Sequence, residues 1–299
     1  MERKPYMDLS VDEPLLQLRL DVGEGPVWDV ATNSLLFVDV SPGRIYRYHP
    51  SEAELRHFDF GQEVGAAAPT SAGGLVVAAR DGVYLTDGNG QGQALVAAIE
   101  SDNRGNRMND AKIDSLGRLW AGTMAFDFAE GAAALYRVDG RSFVKVLPDL
   151  TISNGLDWSP DATKMFFIDS GTYAVDVFDF DLVAGELANR RALVPGEPGT
   201  GMPDGLTVDS EGHIWVAYFG TGEVRRFSPA GVLVGSVKLP VSQVTSCCFG
   251  GEDLGTLFIT TAAYKLTPDQ LDAEPLAGSV FACRPGVQGR ASTPFKVSE

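Results

Sequence analysis

One phrase recurs six times along the 299 residues: an apolar stretch, a short turn carrying Asp with Gly or Pro, then a second apolar stretch. It begins at Gly25 (GPVWDVATNSLLFVDV), Ala67, Asp110 (DAKIDSLGRLWAGT), Gly155, Gly205 and Ser246. Successive starts lie 42, 43, 45, 50 and 41 residues apart. A period of about 40–50 residues means that one supersecondary unit is repeated along the chain. Each phrase reads as a β-hairpin. The turn residues, such as Ser115-Leu116-Gly117 and Ser210-Glu211-Gly212, favour tight reversal. The second arm is apolar almost throughout, as a strand buried on both faces should be. A third arm of alternating polarity usually follows, at 44–48, 134–138, 175–179, 223–227 and 279–283, and a fourth is readable for several copies, as at 231–238.

About four strands per repeat is the pattern of a β-propeller blade, so the chain is expected to be all-β, one six-bladed propeller spanning residues 1–299. A β-sandwich has similar strand content but no reason for six evenly spaced copies. The sixth copy is too short for a fourth strand. Leu15–Leu20 (LLQLRL) precedes the first copy and is expected to complete the last blade and close the ring. The 34 glycines and 17 prolines suit a turn-rich protein and argue against a helix bundle. One short helix is expected at 267–274, where Thr-Pro-Asp-Gln gives a capping pattern.

Charge narrows the partners. With 24 Lys and Arg against 40 Asp and Glu, the net charge is −16. Such an excess repels phosphate backbones and anionic lipid, so neither nucleic acid nor a membrane is expected as a partner. A bound cation is not opposed. No run of 18 apolar residues offers a membrane span. The N-terminal stretch has no apolar segment before Asp8 and Asp12, so no secretory signal is read there. Cys247, Cys248 and Cys283 are odd in number, which fits a reducing, cytoplasmic location better than a disulfide framework. A monomer or small homo-oligomer is expected.

In a propeller, equivalent positions of every blade fall on one ring around the axis. The position just ahead of a blade's first strand is Glu24, Asn109 (followed by Asp110), Asn154 and Asp204, at spacings of 85, 45 and 50. Symmetry therefore brings two carboxylates and two amides to one end of the channel. A single Asn-Gly or Asp-Gly is an ordinary turn; several at one phase of a repeat form a site. Oxygen ligands suit hard cations such as Ca²⁺, Mg²⁺ or Mn²⁺. The absence of Cys and His from the set speaks against a structural zinc centre.

These residues resemble the SMP-30/gluconolactonase (regucalcin-like) family. The resemblance runs from Gly23–Trp28 to Leu276–Phe281 and is strongest at Asn106–Asp110, Gly117–Met124, Ile152–Pro160 and Pro203–Asp209. It is closest in look to the bacterial sugar lactonases, and implies metal-dependent hydrolysis of a sugar (aldono-) lactone such as gluconolactone or xylonolactone. It implies one divalent ion on Glu24, Asn154 and Asp204, Ca²⁺ foremost, with Zn²⁺, Mn²⁺ and Mg²⁺ as alternatives. It also implies substrate contact by Arg107 and Asn109. A further family contact is a Glu; here that position is Asp127, one methylene shorter, a departure that bears on substrate preference.

The chemistry is consistent with those roles. Three protein ligands leave positions open on a cation, Asp204 can double as general base, and Arg107 offers a rigid fork of donors to sugar oxygens or a developing carboxylate. No G-x-S-x-G elbow, P-loop or H-E-x-x-H motif is present. His49, His57 and His213 suggest no triad, and Trp28, Trp120, Trp158 and Trp215 recur at blade positions as core. Two further readings stay open: a non-catalytic calcium-binding regulator or interaction propeller, and a hydrolase of other esters or organophosphates on the same fold.

Overall fold

The computed structural model describes residues 6–297; the first five residues of the N-terminal stretch read above lie outside them. The six repeats fold as six antiparallel blades in a ring. Their innermost strands are Gly23–Asp29, Val64–Pro69, Asn106–Ile113, Ser153–Trp158, Met202–Val208 and Val244–Gly250, and each packs beside the next around the axis. Blades 1 to 5 each supply four consecutive strands of their own, out to Glu54–Asp59, Ala94–Ala97, Ser142–Leu150, Glu186–Val194 and Leu233–Lys238. Blade 6 supplies three, ending at Val280–Cys283.

The second strands explain the ring. Leu36 and Val38 enter an apolar cluster shared with blade 2, while Leu35 and Phe37 enter one shared with blade 6. Side chains alternate across a strand, so a strand apolar at every position glues two neighbours at once. Among the described residues there are six such clusters, one at each blade interface. Trp120 and Trp215 are wholly buried in two of them. Their indole N–H groups donate to Asp114 (2.9 Å) and Asp209 (3.0 Å), which also accept backbone N–H groups of their own hairpin turns. Gly117 and Gly212 take left-handed φ values of 83° and 84° in those turns. The Asp, Gly and Trp of these two repeats therefore form one hydrogen-bonded unit.

Closure follows the expected route. Leu16 pairs antiparallel with Val280 through reciprocal 3.0 Å hydrogen bonds, and the Leu20 N–H donates to the Gly278 carbonyl. The segment before blade 1 thus supplies the outer edge of blade 6. One addition was not legible in the sequence. Met7–Ser10 pairs in parallel with Leu233–Lys238 and makes blade 5 five-stranded. That covers an edge that would otherwise present unpaired ladder groups. The only α-helix among the described residues is Pro268–Ala273, with the Thr267 and Gln270 side chains forming a capping box.

The chain's other end ties the molecule together on the face opposite the strand starts. Gln288 and Gly289 bond the hairpins of blades 5 and 6, and the Arg290 guanidinium bonds Asp157 and the Trp158 carbonyl of blade 4. Ser292 bonds the Trp28 carbonyl of blade 1, Phe295 pairs with Thr70 of blade 2, and the Lys296 N–H donates to Gly117 of blade 3. This tail closes one end of an axial cavity of about 170 Å³. None of the helices in the described residues is long and apolar enough to cross a membrane.

Candidate metal centre

Every innermost strand breaks register with its neighbour near its start. The irregularities fall between Glu24 and Val27, Val64 and Ala66, Met108 and Ala111, Ser153 and Leu156, Pro203 and Leu206, and Val244 and Ser246. A β-bulge turns a side chain out of the strand's alternation and toward a new direction. The sequence-predicted positions lie at these bulges: Glu24 at the edge of the first, Asn109, Asn154 and Asp204 inside three others. All four residues are buried.

Small residues let the strands approach at this level. A Cβ on Gly155 would lie 2.6 Å from the Asp204 carbonyl, and one on Gly65 would lie 2.7 Å from the Asn109 carbonyl. The glycines following Asn154 and Asp204 lie inside inner strands and not in turns, and both are packing requirements at the axis, since a Cβ on Gly205 would overlap the Ser246 side chain. Their effect is to hold the side chains ahead of them close together.

The electrostatics show that closeness. Burial raises the Glu24 carboxyl well above its usual range, and the neighbouring Asp204 and Asp110 carboxylates raise it further. Burial, then Asp110, pushes Asp204 up to about 8, against hydrogen bonds from Asn154 and Glu24. Asp110 is pushed by burial to about 6, with Lys112 and the Ala111 N–H opposing. Like charges packed in a dry site favour protonation, and a cation would relieve the same repulsion. Asp110 belongs to this cluster although only its neighbour Asn109 was singled out from the sequence. The available signal was its place beside Asn109 at the same phase of the repeat.

The two amides differ. Asn109 is fully engaged: its Nδ2 donates to the Ser153 carbonyl at 3.0 Å, and its Oδ1 accepts from Arg107 Nη1 at 2.9 Å. Asn154 Nδ2 donates to Ser170 Oγ at 3.0 Å, while its buried Oδ1 has no partner among the described residues. A buried carbonyl oxygen without a donor costs free energy unless something positive reaches it. With Glu24 and Asp204 beside it, Asn154 Oδ1 completes a set of hard oxygens that fits a divalent cation.

Arg107 is partly buried at the same mouth, with burial lowering its pKa against the pull of Glu24 and Glu63. Its Nη1 bonds the Met108 carbonyl and Asn109, leaving Nε and Nη2 without hydrogen bonds among the described residues. Asp127 is exposed, on the loop after blade 3's second strand, and its Oδ1 accepts the Ala129 N–H at 3.1 Å. Its neighbours span the mouth. Phe126 lies under Arg80 of blade 2 (5.1 Å), and Phe128 lies under Lys265 of blade 6, the blade diametrically opposite (5.8 Å).

Elsewhere, Asp209, Glu211 and His213 cluster at a blade 5 hairpin. Arg226 and Trp215 occupy the Asp209 carboxylate, as befits a structural network. Cys247 and Cys248 are buried in the inner strand of blade 6, and burial pushes the Cys248 thiol up to about 12, so neither is an available soft ligand at neutral pH. His57 lies within the outer strand of blade 1, its ring 5.3 Å from that of Tyr46.

Comparison with known proteins agrees with this architecture. The protein called regucalcin in Sus scrofa is 37% identical over 293 residues, covering 95% of this chain and 97% of that one. Among solved structures, a calcium-binding protein, regucalcin, from Agrobacterium tumefaciens superposes with a TM-score of 0.92 at 28% identity, covering 97% of this chain and 99% of that one. A gluconolactonase from Xanthomonas campestris gives a TM-score of 0.70 at 25% identity over 83% and 85% of the two chains. Residues 22–263 match the family described as SMP-30/Gluconolactonase/LRE-like region. Matched across most of its length, this chain is a member of the SMP-30/gluconolactonase/LRE-like family.

Proposed function

We propose that this protein is a divalent-metal-dependent lactonase that opens a sugar lactone, of the gluconolactone or xylonolactone type, to the aldonic acid. The observation that carries the reading is the buried oxygen set: Glu24, Asp204 and the partnerless Oδ1 of Asn154, with the Arg107 guanidinium beside it. Glu24, Asn154 and Asp204 would hold the ion. When bound, such an ion acts as a Lewis acid toward the lactone carbonyl and acidifies water.

The chain's own residues supply the rest. Asp204, as carboxylate, takes a proton from the attacking water and returns it to the ring oxygen as the acyl C–O bond breaks. Arg107 directs its free Nε and Nη2 donors at sugar hydroxyls or the developing carboxylate. Asn109 holds Arg107 through its Oδ1. Asp127, on the exposed loop after blade 3's second strand, would meet hydroxyls at the outer end of a substrate.

A cation-binding role without catalysis is the second reading, favoured by the regucalcin likeness. A panel of aldonolactones, assayed on metal-stripped protein with Ca²⁺, Zn²⁺, Mn²⁺ or Mg²⁺ restored in turn, separates the two. Turnover that needs the ion is expected. Ion binding with no hydrolysis of any lactone would leave the second reading.

A further inference from the structure

Asn154 is a buried amide at the axis, and its usefulness to a cation depends on which end of the amide is left free. An amide can present its oxygen or its NH₂ group from nearly the same position. With its two ends exchanged, it would put N–H donors where the buried Oδ1 now lies and leave no amide oxygen for a cation.

The hydrogen-bond chain behind Asn154 fixes the choice. Ser170 is 1% exposed and lies just after blade 4's second strand. Its Oγ lies 2.7 Å from the Pro203 carbonyl oxygen and 3.0 Å from Asn154 Nδ2. A carbonyl only accepts, so the single hydroxyl proton of Ser170 must go to Pro203. Ser170 Oγ is then left as an acceptor and requires a donor from Asn154. The NH₂ group is therefore held between Ser170 and Asp204, and Oδ1 is left buried without a partner among the described residues. The same hydroxyl holds the carbonyl immediately before Asp204, linking blades 4 and 5 behind both side chains.

We propose that Ser170 is a positioning residue of this centre: its hydroxyl fixes the Asn154 amide by its NH₂ end and so leaves Oδ1 free for a cation. This rests on the reading that Glu24, Asn154 and Asp204 hold a divalent ion. Ser170 itself touches neither ion nor substrate. Loss of such an outer partner typically weakens metal affinity about 10–100-fold.

The experiment is a double-mutant cycle read by Mn²⁺ titration, using calorimetry or the spin-resonance signal of free Mn²⁺, with circular dichroism to establish folding. Ser170→Ala is expected to bind Mn²⁺ about 10–100-fold more weakly than wild type. In an Asn154→Ala background the same change is expected to cost less than about twofold, because Ser170 acts through that amide. An equal loss in both backgrounds, or Mn²⁺ affinity of Ser170→Ala within about twofold of wild type, would overturn the assignment. If Ser170→Ala does not fold, Ser170→Cys, with its weaker donor, carries the same cycle. Mn²⁺ binding by wild type without turnover of any lactone removes the catalytic reading and leaves Ser170's role standing. No Mn²⁺ binding by wild type removes both.

Discussion

Asp204 carries the heaviest demand of any residue in the molecule. It is buried beside two other carboxylates, and it is the proposed ligand and base together. Asp204→Asn is therefore expected to abolish lactone turnover and to weaken the ion. Arg107→Ala should retain the ion and the fold, since Arg107 contacts Asn109 and a backbone carbonyl and lies outside the proposed ligand set. Losing one charge-assisted contact costs about 1.5–3 kcal/mol, or about one to two powers of ten in kcat/KM. A kcat/KM series at saturating metal checks both, and near-normal turnover by Asp204→Asn would overturn the division of roles. The same carboxylate predicts a pH effect. With a folded pKa of about 8 against about 4 unfolded, the folded chain holds a proton between those values that the unfolded chain has released. Metal-free protein should thus lose stability as pH rises through that window. Asp204→Asn, lacking this titration, should show a smaller fall in Tm between about pH 5 and pH 8, measured in chelator.

At the scale of the element, the bulged start of each inner strand matters most. It turns Asn109, Asn154 and Asp204 out of the strand's alternation, and small neighbours let adjacent strands close up. Gly155→Ala would push a methyl group to 2.6 Å from both the Asp204 carbonyl oxygen and the Leu206 nitrogen, backbone atoms of the next strand. Overpacking of this kind costs about 1–3 kcal/mol. The expected outcome is a lower Tm together with weaker ion binding, because the displaced strand carries Asp204. Gly88→Ala, whose added carbon meets nothing nearer than 3.3 Å, is the control, with Tm near wild type. A Gly155→Ala protein with wild-type Tm and ion affinity would show that the close strand approach is not needed.

Across the whole molecule, stability depends on joining the ring's ends. The N-terminal segment reaches blades 5 and 6, and the C-terminal tail bonds all six blades beneath the cavity. Phe295 is the tail's apolar anchor, 1% exposed and packed between blades 2 and 3. Phe295→Ala should cost about 3–5 kcal/mol, the usual loss for a buried Phe. Truncation after Pro285 should lower Tm at least as far as Phe295→Ala does. Denaturant melts of the two variants test this, and an unchanged midpoint in either would mean the tail is an accessory and not a clasp.

How much of this the sequence determined by itself depends on how local the physics is. The strands, their hairpins and the blade count were legible because periodic apolar arms and the turns at Asp114–Gly117 and Asp209–Gly212 are set by neighbours in the chain. Ring closure by Leu15–Leu20 was legible too, because the last repeat lacked a strand. The convergence of Glu24, Asn109, Asn154 and Asp204 followed from symmetry alone. Symmetry could not separate the two amides: Asn109 and Asn154 occupy the same phase, yet one has its oxygen taken by Arg107 and the other has its nitrogen taken by Ser170. Nor could it place Asp110 among the crowded carboxylates, pair Met7–Ser10 with blade 5, or lay the tail across six blades. Those outcomes rest on hydrogen bonds and charges between residues far apart in the chain. Only the folded ring brings such partners within reach, and no local pattern encodes which donor an acceptor will meet.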